Sequence, residues 1–160
     1  FHTGMVDSNG SPLKQFMRLD LTSSQGEATN LFNTVNSTVF NPSFTSSTGQ
    51  KCMAYCFHDV ANYQKLGSYT GDGTTGQEIA PSYVFIKSTF GTSNWTVYDT
   101  VRGITNGGFL NPDNSDSETT GSNAPNITIT STGFTITSGG VNQGLNSDTR
   151  NYIYWAIKIN

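Results

Sequence analysis

The sequence predicts an all-β chain, an antiparallel β-sandwich of jelly-roll or concanavalin-like type, and three observations lead there. Short runs rich in Thr, Val, Ile and aromatic residues are divided by Gly, Asn and Ser clusters, and a spacing of about eight to twelve residues is the cadence of strands joined by turns. No stretch carries a competing 3.6-residue periodicity. Ser, Thr, Asn and Gly make up 74 of the 160 residues, whereas charged residues are only 12%, which excludes a charge-driven disordered tail. With 34% hydrophobic residues, one core can close, and the length suits a single β-rich unit.

Eight strands are expected in order. Met17 to Leu21 opens the series, and Lys51 to His58 follows with Met53, Tyr55 and Phe57 on one face. Lys65 to Thr70, Tyr83 to Ser88 and Trp95 to Thr100 come next, each β-branched or aromatic in part and flanked by turn residues. In Asn126 to Ser131, Ile127 and Ile129 share a face; after Ser131-Thr132-Gly133 the alternation resumes with Phe134 and Ile136 in Gly133 to Thr137, as in a hairpin with one face in the core. The last strand, Tyr152 to Ile159, has an apolar face of Ile153, Trp155, Ile157 and Ile159 opposite Tyr152, Tyr154, Ala156 and Lys158. Aromatics on both faces predict a central strand. Between the strands, Asn111 to Glu118 with Thr119 to Asn126 behind it lacks apolar periodicity and reads as an exposed, mobile loop.

Eight Lys and Arg against 11 Asp and Glu give a net charge of -3, so nucleic acid is not an expected partner. No window approaches 18 consecutive apolar residues and no basic-then-apolar leader opens the chain, so neither a membrane-spanning helix nor membrane insertion is expected. Cys52 and Cys56 stand four apart; on a strand that step is roughly 13 Å, beyond the ~7 Å reach of a disulfide. They read as two buried thiols rather than a bridge or a metal site, since His2 and His58 are the only histidines.

The chain also resembles itself. Asn151 to Lys158 matches Lys51 to His58 in face pattern, each behind a polar turn, and Phe1 to Met5 resembles Tyr98 to Arg102. On this register residues 1–60 form a partial first repeat and 61–160 a complete second one. The first unit lacks opening strands, which predicts that residues preceded Phe1 in a precursor.

The run Tyr55-Cys56-Phe57-His58-Asp59-Val60-Ala61-Asn62-Tyr63-Gln64-Lys65-Leu66-Gly67-Ser68-Tyr69-Thr70-Gly71-Asp72-Gly73 resembles a repeat of large structural proteins of tailed bacteriophages. The resemblance continues through Pro81 to Lys87, Asn94 to Arg102 and Ser131 to Phe134, and ends on Tyr152-Ile153-Tyr154-Trp155-Ala156. It implies a sandwich domain of a virion protein, often in tail-fibre or host-adhesion regions, and a non-enzymatic one. The chain is then expected in the virion, assembled in the host cytoplasm, against copies of itself or other virion proteins. A capsid-decorating cement protein without a ligand is the alternative.

Candidate sites are few. Glycan hydrolases need two carboxylates about 5 to 10 Å apart; the nearest match, Asp116-Ser117-Glu118, lies in the polar loop. No Gly-x-Ser-x-Gly elbow is present. Asp113, Asn114, Asp116 and Glu118 offer hard oxygens for Ca2+, without the spacing of a preformed loop. For a host-surface carbohydrate, Asn94, Trp95 and Tyr98 supply stacking and hydrogen-bonding groups. Trp95 is a stacking platform if it faces out and core if it faces in. Sequons at Asn36, Asn94 and Asn126 arise by chance in so Asn-, Ser- and Thr-rich a chain. Open edge strands with only eight positive charges predict an oligomer.

Overall fold

A computed structural model describes residues 5, 15–28, 32–36, 38–42, 53–71, 75–76, 81–102, 108–120, 126–137, 144–147 and 149–159. The chain is all-β, and no helix occurs among the described residues. Eleven strands are seen among them: β1 (Gln15–Phe16), β2 (Gly26–Glu27), β3 (Phe32–Val35), β4 (Phe40–Pro42), β5 (Gln64–Thr70), β6 (Thr75–Gly76), β7 (Tyr83–Ser88), β8 (Thr96–Asp99), β9 (Asn126–Ile129), β10 (Phe134–Thr137) and β11 (Asn151–Ile157).

A four-stranded sheet in the order β5-β11-β7-β8 is the centre of the fold, and a three-stranded sheet β6-β10-β9 accompanies it. Two short pairs, β1-β2 and β3-β4, complete the described strands. All pairings are antiparallel. One core draws Tyr69, Val84, Ile86, Tyr98, Tyr152, Tyr154 and Ala156 from the first sheet and Ile127, Phe134 and Ile136 from the second, with Phe109 and Leu145 from loops. Two sheets facing each other over one apolar layer is the sandwich solution to burying a sheet face.

The expected central strand is found: β11 lies between β5 and β7, with Trp155 opposite both Leu66 and Phe85. Its two faces are buried unequally. The main core takes the Tyr152, Tyr154 and Ala156 side, whereas Trp155 and Ile157 are half-buried and Ile159 is exposed. Tyrosine tolerates that interior when its hydroxyl reaches an acceptor. Tyr69 donates to Leu145 O at 2.6 Å and Tyr152 donates to Gly144 O, both at the open end of the sandwich. Opposite Tyr154 stands Gly67, where an added Cβ would overlap the tyrosine ring. Only glycine admits that close approach.

The other face of the four-stranded sheet carries a smaller cluster of Met5, Trp95 and Ile153, with Met17 and Phe85 packed against it. The expected hairpin is present, with Phe134 opposite Ile129 and Ile136 opposite Ile127, and Thr130 N–H donating to Gly133 O at 2.8 Å.

Two expected strands are not strands. In Met17 to Leu21 the extended pairing stops at Phe16, and Leu19 is exposed. The carbonyls there serve other partners: Arg18 O accepts from the Trp95 indole, and Thr22 O accepts from Ser93 N–H and from the Lys87 ammonium. Residues Met53 to His58 are irregular and exposed. The edge of β5 that they approach is already occupied, because Val60 O accepts from Gln64 N–H and Asp59 Oδ1 accepts from Leu66 N–H at 2.8 Å. The matching stretch Ile153 to Ile157 is a central strand, so this piece of the internal likeness is not repeated in structure. Cys56, expected to be buried, is an exposed free thiol. Lys51, Cys52 and His2 lie outside the described residues.

Candidate functional site

The residues singled out for sugar binding fall on two faces of one sheet. Trp95 immediately precedes β8 and turns inward, 6% exposed, with its ring stacked on Phe85 at 4.7 Å and 10°. Its indole N–H donates to Arg18 O at 2.8 Å, its main-chain N–H to Asp113 Oδ2 at 3.0 Å, and its carbonyl accepts from Asn111 Nδ2 at 2.9 Å. Tyr98 points to the opposite face, fully buried against Phe109. Burial raises its pKa, and its hydroxyl has no hydrogen-bond partner among the described residues. Asn94 is half-buried. Of the two alternatives left open for Trp95, the structure places the ring inside, and Tyr98 is buried as well.

Around Trp95 the structure builds a polar knot that the sequence did not announce. Lys87 on β7 is wholly buried. Its ammonium donates to Ser93 O, to Thr22 O at 3.0 Å and to Ser93 Oγ at 3.4 Å, and lies 5.9 Å from the Trp95 ring centroid. Burial lowers the Lys87 pKa, while nearby Asp113 pulls it up. The alternation of Tyr83-Val84-Phe85-Ile86-Lys87-Ser88 places Lys87 with Phe85, on the face of the smaller cluster. Its four-carbon stem covers apolar surface and its head reaches loop carbonyls. Together with Gln25 N–H donating to Thr89 O and Ser93 N–H donating to Thr22 O, the knot fastens residues 18–25 to the turn after β7. Asp113 Oδ1 is buried there without a partner among the described residues.

The proposed calcium ligands separate. Asp113 serves Trp95; Asp116 accepts from Asn114 Nδ2 at 2.9 Å; Glu118 Oε1 stands 3.9 Å from Arg102 Nε, and that arginine also pairs with Asp99. Among the described residues no three His, Cys, Asp or Glu side chains gather to hold an ion. The loop is exposed from Asn114 to Glu118 as expected, but Asn111 at its root is buried. It is closed by the pairing of Phe109 with Thr119.

Met53 to His58, expected within a strand, lies outside, and the residues that follow it to Tyr63 are exposed too. Met53 is 78% and Tyr55 79% exposed, and Phe57, Val60 and Tyr63 are exposed as well. Phe57 rests its ring 4.5 Å from that of Trp155, and Gln64 ties the segment down by donating to His58 O at 2.6 Å while accepting from the Trp155 indole at 3.2 Å.

A family model described as a domain of unknown function matches residues 2–160. The chain belongs to the DUF7483 family. No curated protein and no solved structure matches it. In this DUF7483 domain buried Lys87 and Asn111 fasten loops, and five of the exposed large apolar side chains, Met53, Tyr55, Phe57, Val60 and Tyr63, fall along one segment, while Leu19, Val39, Phe90, Val101 and Ile159 stand exposed elsewhere. On the outside stand the Cys56 thiol and several exposed rings, while Asp116 and Asp99 are tied to neighbours.

Proposed function

We propose that the chain is a non-enzymatic structural module of a bacteriophage virion, of the tail-fibre or adhesin type, working through assembly contacts. The observation that carries this reading is the exposed Met53 to Tyr63 segment, five large apolar side chains held on the outside of a sandwich. Monomeric proteins seldom leave a large apolar patch in water, and five such side chains within eleven residues of chain are a candidate for one. Support also comes from the likeness to phage structural repeats and from the dispersal of the carboxylates that a glycan hydrolase would oppose across a bond. A jelly-roll or concanavalin-like connection of the two sheets belongs to the same reading. Contact with host glycan would fall to exposed rings such as Phe90, Tyr55 and Tyr63, since Trp95 and Tyr98 serve the cores.

The test is peptide mass spectrometry of gradient-purified virions of the phage that carries the sequence, followed by gold labelling with an antibody to this chain. Peptides at stoichiometric yield with label along the tail are expected. Label on the shell would favour the cement role, and absence from the particle would refute the virion reading.

A further inference from the structure

We infer that the Met53 to Tyr63 segment and the adjoining edge of β5 form a two-fold interface with a second copy of this chain; this rests on the assembly reading and names its surface and partner. Three features of the structure converge. The first is the strand edge. Tyr63 O accepts from Lys158 N–H and Gly71 N–H donates to Arg150 O, so in the antiparallel register of β5 with β11 the odd residues 63 to 71 face β11 and the even ones face outward. Of these, Gln64 and Leu66 donate their N–H groups to Val60 O and Asp59 Oδ1. Ser68 and Thr70 remain, both exposed, and among the described residues no strand lies on that side of β5. An unpaired edge of this kind is a template for another strand.

The second feature is area. Met53, Tyr55, Phe57, Val60 and Tyr63 present together ~600 Å² of exposed side chain on ordinary residue areas, and the β5 edge brings the face near the ~800 Å² per partner of a standard interface. The third is charge. The ion pair at this face, Lys65 with Asp59 at 2.7 Å, is closed within the chain. A surface that neutralises itself meets its own copy without like-charge repulsion, and a two-fold axis needs a self-complementary patch. Antiparallel addition of β5 to β5 of the partner brings Ser68 against Ser68 and lays each aromatic segment beside the axis.

The experiment uses the full chain: light scattering and sedimentation from about 1 to 300 µM, for wild type, for Met53→Ser with Tyr55→Ser, and for Ser68→Lys. The first variant changes side chains that stand in solvent, and the second sets a charge against its own image. A wild-type dimer is expected, with both variants at least tenfold weaker in self-association and unchanged in circular dichroism and melting temperature. A wild type that stays monomeric, forms a trimer, or dimerises unaffected by either variant overturns the interface. A monomer that is nevertheless found in virions refutes this surface and leaves the virion reading standing; a variant-sensitive dimer absent from virions does the reverse.

Discussion

Removing one oxygen atom should make this protein more stable. The Tyr98 hydroxyl is fully buried in the main core and has no hydrogen-bond partner among the described residues, while the ring packs on Phe109 at 5.8 Å. An unmatched hydroxyl taken out of water costs about 1–3 kcal/mol. Tyr98→Phe removes that cost and keeps the ring contacts; the small void left by the oxygen offsets part of the gain. A net stabilisation of about 1 kcal/mol is expected, which for a domain of this size raises Tm by roughly 2–4 °C. Tyr152→Phe is the matched control in the same core. Its hydroxyl donates to Gly144 O and accepts from Ser147 N–H at 3.0 Å, so the same chemical change strands two main-chain groups and should destabilise by about 1–3 kcal/mol. Urea titrations followed by tryptophan fluorescence, with scanning calorimetry, measure both. Loss of stability in Tyr98→Phe comparable to that in Tyr152→Phe would refute the reasoning, because it would mean that the Tyr98 hydroxyl is matched.

The same tyrosines govern alkaline pH. Burial first, then the nearness of Tyr152 and Tyr98, raises the Tyr69 pKa, and burial raises that of Tyr98. The unfolded chain then loses these protons near pH 10 while the folded chain keeps them, so their contribution is whole below pH 10 and lost above it. Each costs up to about 1.4 kcal/mol per pH unit there, and unfolding monitored from pH 9 to 12 should show Tyr98→Phe to be more resistant than wild type. Lys87 has the opposite sign: with its pKa lowered from 10.5 by burial, the unfolded state binds its proton more tightly, so stability rises with pH between the folded value and 10.5. Lys87→Met should abolish that rise and, by taking the ammonium donor from Ser93 O and leaving Thr22 O with Ser93 N–H alone, lower stability near pH 7 by about 1 kcal/mol in urea titrations. Gly67→Ala forces a methyl into the ring of Tyr154 on the neighbouring strand; a loss of about 2–3 kcal/mol is expected by thermal melting, and Gly67→Ala combined with Tyr154→Leu should recover part of it.

Strands whose two faces differ were legible in the sequence. Tyr83 to Ser88 is found as β7 without change, and the Ile127, Ile129, Phe134, Ile136 alternation fixed a hairpin register that the structure reproduces. The central place of β11 followed from aromatics on both sides. Alternation does not say which of two apolar faces meets the larger core, however, and the deciding facts were distant acceptors for tyrosine hydroxyls at Gly144 and Leu145. Nor does it separate a strand from an apolar segment laid on the outside. Met53-Ala54-Tyr55-Cys56-Phe57 alternates as a core strand would, and what diverts it is the side chain of Asp59 taking the donor of Leu66. At the site, Trp95 was undecided between core and platform. Its burial depends on Arg18 O, Asn111 and Asp113, 77, 16 and 18 residues away in the chain, a convergence no local pattern contains.

The composition and the architecture explain one another at this point. With charged residues at only 12%, the chain has few ions with which to keep neighbouring copies apart, and those near the apolar segment are spent internally in the Lys65–Asp59 pair. Its abundant Thr, Ser and Asn keep the remaining surface wettable without repulsion. A monomeric enzyme gains nothing from such a surface and risks aggregation through it. A subunit meant to pack against its like gains a contact that neither salt nor pH in the neutral range should dissolve, since no charged pair has to form across it. Self-association that weakened steeply between 0.05 and 1 M salt would contradict that logic, because apolar and main-chain contacts are not screened.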